Sequence, residues 1–230
     1  MMRIIKAIRK GLKHLIYGAK IDSEHYTRYL KRIGVKVGQG TVFYDPQSNT
    51  IDETNPRLLK IGKNVRITHG VIILTHDYSW SVLAGKYGEC LGGVAPVTIG
   101  NNVFVGMNAI ILKGAEIGEN VIIGAGSVVS NNCDSDSVYA GVPARKICSL
   151  EQFYRKKKEH LNIDIHEILS NIDSSSEEDL KKYLREYSCM LEDDIFLEKE
   201  KQKLMRDTGY YEVCEKFYSD ANKLKISDFI

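Results

Sequence analysis

The sequence of 230 residues lacks any apolar run that approaches the roughly 18 residues of a membrane-spanning helix. Its five cysteines are scattered and form no C-x-x-C pair, which argues against a zinc knuckle and a disulfide framework. The basic start has neither an uninterrupted apolar stretch nor a small-residue cleavage site, so we do not expect a signal peptide. A reducing, cytoplasmic setting is the simplest prediction.

Charge divides the chain into three segments. Residues 1–34 carry nine Lys/Arg and two Asp/Glu, residues 35–150 carry nine of each, and residues 151–230 carry 14 and 19. The net charges are therefore +7, 0 and −5, which add up to +2. We expect the middle segment to differ in structure from both ends.

The middle segment repeats every six residues. From Val97 it reads VTIGNN, VFVGMN, AIILKG, AEIGEN, VIIGAG and SVVSNN, and the same phase holds earlier in LKIGKN, VRITHG and VIILTH. An aliphatic residue takes the third place of each unit, and Asn or Gly takes the sixth place in all but one. A helix would show a period of about 3.6 and a surface strand only strict alternation, so neither explains the pattern.

Each unit is predicted to be a short strand followed by a corner. The central aliphatic residue points inward because alternate strand residues face opposite sides. The corner needs a positive φ, which Gly and Asn tolerate best. Three such sides make an 18-residue coil, and stacked coils bury a continuous aliphatic column. The sequence thus predicts a mainly β domain over residues 35–148, built as a parallel β-helix.

One unit has a histidine where the others have Asn or Gly. Ile73 is the inward aliphatic residue of VIILTH, so His76 takes the corner place. The pattern then stops until Val97, and residues 77–96 are predicted to leave the coil as a loop. This register disfavours a buried core histidine. It leaves two interpretations open, a functional group at the mouth of the loop or an exposed corner residue without a role.

The run "IGNNVFVGMNAIILKGAEIGENVIIGAGSVVSNN", followed by "AGVPARKI", resembles the hexapeptide-repeat acyltransferases, and most of all their sugar and polysaccharide O-acetyltransferases. The resemblance implies a left-handed parallel β-helix and a homotrimer with active sites between subunits. It also implies acetyl-CoA as the acyl donor. Three positions depart from the family pattern, where Phe104 replaces a common Trp, Asn131-Asn132 replaces Lys-Asp, and Cys148 replaces a basic residue.

The resemblance implies that His76 is a general base. It would take a proton from the acceptor hydroxyl, whose oxygen attacks the thioester directly without a covalent acyl-enzyme; neutral imidazole suits this role at neutral pH. The residue that orients the ring stays open. Asp77 is adjacent and its side chain should diverge, whereas Glu89 or Asp45 could reach the ring after folding. His69 takes a different place in its unit, and we expect a structural or surface role for it.

Substrate-contacting residues follow from position and from the resemblance. Asp77, Tyr78 and Trp80 flank His76 on the loop. The aromatic faces of Tyr78 and Trp80 suit sugar rings, although these two could equally pack the loop against the coil. Family contact positions for acetyl-CoA are matched by seven residues: Gly106, Met107, Gly124, Ala125, Ser130, Arg145 and Lys146. For the glycines and Ala125, corner geometry is an alternative explanation. No metal is expected, because the repeat holds only two histidines.

Both ends are predicted to be helical, over residues 1–34 and 149–230. Residues 3–16 form a basic amphipathic stripe that could pack on the coil or contact the inner face of a membrane. A second helix is predicted to start at a Ser23 cap and to end at Gly34. Past residue 150, helices are predicted over 150–161, 176–190 and 192–207. The extension offers no catalytic constellation.

Three functions remain open from the sequence. The first is O-acetylation of a sugar hydroxyl in a bacterial surface polysaccharide, such as capsule or O-antigen, or in its precursor. The second is N-acetylation of a nucleotide-linked amino sugar or O-acetylation of an antibiotic. The third is a non-catalytic β-helix that serves as an assembly subunit. A carbohydrate acceptor is the expected partner, and no nucleic acid is expected. The identity, length and reacting hydroxyl of the acceptor cannot be read from the sequence.

Overall fold

The computed structural model describes residues 16–159. Apart from residue 16, the predicted helix over 3–16 lies outside them, as do those over 176–190 and 192–207. The chain divides into two compact units, Met1–Phe153 and Tyr154–Ile230. The repeat belongs to the first unit, and the described residues of the second, 154–159, are helical. Within the described range, no helix is long and apolar enough to cross a membrane.

Short strands in three sheets make up the coil, and parallel pairing links strands of successive coils. The first sheet runs β1 Lys36–Val37, β4 Leu59–Ile61, β7 Val97–Ile99 and β10 Glu116–Ile117. The second runs β2 Val42–Phe43, β5 Arg66–Ile67, β8 Phe104–Val105, β11 Val121–Ile123, β13 Ser137–Ala140 and, antiparallel at its end, β14 Arg145–Ser149. The third runs β3 Thr50–Ile51, β6 Ile72–Ile73, β9 Ile110–Ile111 and β12 Val128–Val129.

The three sheets meet at three edges. The first edge holds the corners between the first and second sheets, the second edge those between the second and third, and the third edge those between the third sheet and the first strand of the next coil. This triangular parallel coil is the predicted β-helix. Its interior is the predicted aliphatic column, since the central residue of every hexad is buried; examples are Ile61, Ile67, Ile73, Ile99, Ile111 and Ile123.

Corner residues adopt the left-handed conformation predicted for the sixth place of the repeat. Asn102 and Asn108 have φ of 54° and 57°, and Gly114 has 83°. Asn tolerates this region because its short side chain forms local hydrogen bonds. On the first edge these side chains also stack, since Nδ2 of Asn102 donates to Asn120 (2.8 Å), whose Nδ2 donates to Asp136 (2.9 Å).

The helix that precedes the coil, α1, spans Ser23–Ile33 and ends at Gly34, whose φ of 115° gives the predicted stop. The predicted Ser23 cap was wrong. Asp22 caps the helix, because its carboxylate accepts the backbone N–H of His25 at 2.8 Å. The Ser23 hydroxyl instead accepts the N–H of Phe43, which joins α1 to the first coil.

Residues 77–96 lie between β6 and β7, outside the stacked strands, and they are not simply the loop that the sequence predicts. They contain an eight-residue helix, α2, at Trp80–Tyr87, which ends at Gly88 in the left-handed conformation. The coil resumes in register at Val97, which pairs with Leu59 of the preceding coil. The excursion is therefore an insertion into an otherwise continuous coil.

The first coil is longer than the repeat predicts. Ile51 follows Phe43 by eight residues, and Ile61 follows Ile51 by ten, although each still occupies the inward column. Two enlarged corners result. One lies on the second edge and contains Asp45, and the other lies on the third edge and begins with Asp52. Both aspartates hold a histidine of the following coil.

Close stacking of coils accounts for glycine at the fourth place of the hexad. A Cβ on Gly100 would lie 2.5 Å from the backbone oxygen of Gly118. We predict that Gly100→Ala lowers the free energy of unfolding by about 1–3 kcal/mol, because the coils must separate to admit the methyl group. Gly85→Ala is the control, since its Cβ would meet nothing within 4 Å inside α2. Urea unfolding at equal protein concentration checks this, and equal stability of the two variants would contradict it.

Candidate active site

His76 lies on the third edge, where the chain leaves the coil. It follows β6 at the corner place, as predicted, and 19% of its side chain is exposed. An antiparallel bridge between His76 and Val94 closes the insertion behind it, and the N–H of Ala95 donates to the carbonyl of Thr75 at 3.0 Å. His76 thus lies at the mouth of the insertion, where the backbone of residues 94 and 95 pairs with its own chain segment.

The group that orients the imidazole is Asp52. Its Oδ2 lies 2.6 Å from Nδ1 of His76, and 2% of its side chain is exposed. Asp52 directly follows β3, whose Ile51 pairs with Ile73 of β6, so parallel stacking brings the carboxylate of one coil beside the histidine of the next. Neither candidate from the sequence, Asp45 or Glu89, is the partner.

Asp52 was missed because it does not fall in the hexad phase of the later coils. The second side of the first coil has two extra residues, so counting in sixes from Phe43 reaches Asn49 rather than Ile51. The available signal was the aliphatic Ile51 after a polar stretch, which continues the inward column. Recognising the longer side would have placed Asp52 beside the later corner.

Asp52 is held ionised by its neighbours. Burial opposes ionisation, yet hydrogen bonds from the Thr75 hydroxyl and N–H, from His76 and from the Thr54 N–H outweigh it and hold the pKa of Asp52 well below its usual range. An ionised carboxylate can only accept hydrogen bonds, so Nδ1 of His76 must donate. Nε2 of the neutral ring then keeps its lone pair, which is the arrangement a general base needs.

The predicted substrate residues flank this pair. Tyr78 stands edge-on to the His76 ring, with centroids 5.1 Å apart and planes at 86°, and 66% of Tyr78 is exposed. Trp80 is half-buried, 6.3 Å from the Tyr78 ring. Tyr78 is thus an exposed aromatic ring beside the imidazole, and the substrate-binding role of both residues stays a prediction.

Asp77 holds the insertion to the coil. Its Oδ2 lies 3.0 Å from Nζ of Lys113 on the following coil, and its Oδ1 accepts the hydroxyl and N–H of Ser79. These bonds, first those from Ser79 and then the one from Lys113, lower the pKa of Asp77 to about 2. Because both carboxylate oxygens are engaged, Asp77 has a clear positioning role, and its predicted contact with substrate stays a prediction.

Most of the residues predicted to contact acetyl-CoA, the acyl donor, form one column on the second edge, which we call the donor column. Gly106 lies under Gly124, and a Cβ on Gly124 would come within 2.9 Å of Ala140. Arg145 pairs across the strands with Ala140, which places it at the end of this column. Met107 and Ala125 occupy the adjoining corners, both exposed, and the carbonyl of Met107 accepts the N–H of Gly126 at 2.7 Å.

Two backbone N–H groups on the donor column are free to donate a hydrogen bond to a ligand. Among the described residues, nothing accepts a hydrogen bond from the N–H of Met107 or Ala125. On the first edge the matching N–H of Lys63 donates to Asn101 and that of Glu119 donates to Ser135. Met107 and Ala125 therefore offer free amide donors, whereas side chains cap the N–H groups of Lys63 and Glu119 on the first edge.

The two remaining donor residues lie elsewhere. Ser130 follows β12 and is on the third edge, the edge of His76, rather than beside Met107. Lys146 is exposed on β14, with its Nζ 3.5 Å from a carboxylate oxygen of Asp134. Within residues 16–159, no group of three His, Cys, Asp or Glu side chains is placed to hold a metal ion.

The Asp52 hydrogen bonds predict a pH-dependent contribution to stability. Because its folded pKa lies below the unfolded value of about 3.9, the contribution is complete above that pH and falls away as the pH drops through the folded pKa. We predict that Asp52→Asn lowers the free energy of unfolding by about 1.5–3 kcal/mol at neutral pH. Urea unfolding at falling pH should show the gap narrowing below about pH 4. A gap independent of pH would contradict this.

Comparison with known proteins places the chain in a family. The family described as bacterial transferase hexapeptide (six repeats) matches residues 96–131. Protein CapG of Staphylococcus aureus is 40% identical over 127 residues, 55% of this chain and 73% of CapG. Galactoside O-acetyltransferase of Escherichia coli is 36% identical over 114 residues, 50% of this chain and 54% of that enzyme.

Among solved structures, a hexapeptide-repeat-containing acetyltransferase from Vibrio cholerae aligns with 64% of this chain and 92% of its own, at 21% identity and a TM-score of 0.47. The chain covers nearly three quarters of CapG but only about half of galactoside O-acetyltransferase. The identity to CapG over that length, the matched hexads and the stacked coil have one explanation. The chain belongs to the bacterial hexapeptide transferase family.

Proposed function

We propose that this protein is an acetyl-CoA-dependent O-acetyltransferase that modifies a sugar hydroxyl of a bacterial surface polysaccharide or of its precursor. The observation that carries the proposal is the Asp52–His76 hydrogen bond, which leaves Nε2 of an oriented imidazole as a base at the mouth of the insertion. The similarity to a galactoside O-acetyltransferase supports the sugar acceptor. A non-catalytic assembly subunit would have no need of this pair.

The proposed reaction is a direct transfer. Nε2 of His76 takes the proton of the acceptor hydroxyl as its oxygen attacks the thioester carbonyl, and the tetrahedral intermediate collapses with cleavage of the C–S bond. The CoA thiolate leaves and recovers the proton from the imidazolium, so the histidine ends neutral. Asp52 stabilises the imidazolium between these steps and keeps the ring in place.

Acetyl-CoA would lie along the second edge. The free N–H groups of Met107 and Ala125 suit the thioester oxygen and the pantetheine amides, and the exposed Arg145 guanidinium suits the phosphates. Lys146 would add charge at the same end of the coil. The Gly106–Gly124 stack belongs to the same column, whereas Ser130, also proposed from the family resemblance, lies on the third edge.

A trimer is the proposed assembly, because His76 and the donor column lie on different edges of one chain. Outward-facing strand residues support it. Those of the first sheet are polar, whereas those of the third include Ile72, Ile110 and Val128 and those of the second include Phe104 and Ile122. Such apolar faces suit packing against other copies. We further propose the left-handed coil of the family and a cytoplasmic location that includes the inner face of the membrane.

The base role of His76 predicts a selective loss of rate. We expect His76→Ala to lower kcat by about 10²–10⁴-fold with little change in the KM for acetyl-CoA, because the donor contacts remain. The assay follows thiol release with methyl glycosides of galactose, glucose, their N-acetylated amino sugars and sialic acid. His25→Gln is the control, since His25 also contacts an aspartate but lies on α1. Equal CoA release by His76→Ala and wild type would exclude the base role.

The placement of acetyl-CoA along the second edge predicts that removing Arg145 weakens binding only of a donor that carries the nucleotide phosphates. Arg145→Ala should raise the KM for acetyl-CoA about tenfold, because a charge-assisted contact to phosphate is lost. The same substitution should leave transfer from S-acetyl-N-acetylcysteamine unchanged, since that donor has no phosphate. Initial rates with both donors test this, and an equal effect on both would place the nucleotide elsewhere.

A further inference from the structure

A second histidine–aspartate pair lies on the second edge. Nδ1 of His69 is 2.7 Å from Oδ2 of Asp45, and the two side chains are 53% and 39% exposed. The sequence predicted only a structural or surface role for His69. The pair contributes little to stability, because even a fully charged exposed pair is worth only about 0–1 kcal/mol.

The pair continues the donor column by one coil. The N–H of Asn108, next to Met107, donates to the carbonyl of His69 at 2.9 Å. Successive strands in a sheet are about 4.8 Å apart, so His69 lies roughly one such step beyond the corner of Met107, on the side away from Arg145. That distance is about the width of one sugar ring.

The enlarged corner of the first coil creates this arrangement. The two extra residues between Phe43 and Ile51 let the chain bulge, and the Ser48 hydroxyl donates to the carbonyl of Asp45 (3.0 Å) while accepting the N–H of Gly70 (2.9 Å). A regular six-residue side has no room for this turn. The two extra residues thus bring the Asp45 carboxylate beside the histidine of the next coil.

The pair has a defined hydrogen-bonding character. The bond to His69 is the main cause that lowers the pKa of Asp45, so the carboxylate is ionised and accepts the Nδ1–H. The other ring nitrogen of neutral His69 is then an acceptor, on a ring that is more than half exposed. An exposed acceptor of this kind suits a hydroxyl-rich ligand.

The order of groups along the second edge indicates which ligand His69 and Asp45 bind. If acetyl-CoA runs from Arg145 toward Met107, the acyl carbonyl is at the Met107 end, and the acceptor must approach it from beyond. His69 is the next side chain in that direction and belongs to the same coil as His76, residues 59–76. In a trimer that brings the second edge of one copy to the third edge of another, the two histidines would face the acceptor from opposite sides.

The geometry points to His69 and Asp45 as the acceptor-binding site, where the exposed His69 nitrogen accepts a hydrogen bond from a sugar hydroxyl other than the one acetylated. This inference rests on the proposed function. It assigns His69 to acceptor affinity and His76 to the chemical step, so the two histidines differ in which kinetic constant they control.

The test separates these constants. For the methyl glycoside that wild type acetylates fastest, His69→Gln should raise the acceptor KM about tenfold, as expected for one lost hydrogen bond, with kcat changed less than about threefold. Asp45→Asn should also raise the acceptor KM, since the His69 ring loses the group that orients it. The KM for acetyl-CoA should stay at the wild-type value, and thermal melting should confirm that both variants fold.

His25→Gln provides the matched control, because it disrupts another exposed histidine–aspartate pair at Asp22, 33% and 50% exposed, which lies on α1 rather than on the coil. An acceptor KM for His69→Gln within twofold of this control would overturn the inference, as would a fall in kcat without a change in acceptor KM. Wild-type transfer in the same assay keeps the outcomes distinct, since a wild type that acetylates none of the glycosides contradicts the proposed function instead.

Discussion

Stacking of each side of the coil on the one before it is the constraint that brings both histidine–aspartate pairs together. Parallel pairing holds successive strands about 4.8 Å apart, so a side chain at one corner lies beside its counterpart in the next coil. A contact between residues more than twenty positions apart is thereby local in space. Asp52 reaches His76 in this way, and Asp45 reaches His69.

The two histidine–aspartate pairs show how irregularity in a regular coil creates a site. Both aspartates come from the enlarged corners of the first coil, and both histidines come from the regular second coil. The two pairs differ in how deeply they are buried. Asp52 is almost fully enclosed and engages Thr54 and Thr75 as well, whereas Asp45 remains exposed. The enclosed pair has the fixed geometry that the proposed base chemistry requires, and the exposed pair is accessible to a ligand.

Sequence reasoning succeeded where the period of six held. It predicted the inward isoleucines, the corner position of His76, the excursion after it and the return at Val97, because each follows from counting. It failed where the period broke. Asp52 lies beyond two extra residues, so its register could not be counted, and α2 is a short helix without a side-chain cap inside a segment predicted as a loop. The family resemblance implied His76 as the proposed base but did not identify Asp52 as its partner.

Asp52 holds His76 with the proton on Nδ1 and the lone pair on Nε2, and the proposed chemistry depends on this tautomer. Nitrogen-15 NMR of histidine-labelled protein tests this most directly, under mildly alkaline conditions where imidazoles are neutral. The account predicts a protonated-nitrogen shift for Nδ1 of His76 and an unprotonated one for Nε2, with Asp52→Asn changing this balance. The reverse tautomer in the wild-type protein would contradict it, because Nε2 could then not accept the proton of an acceptor hydroxyl.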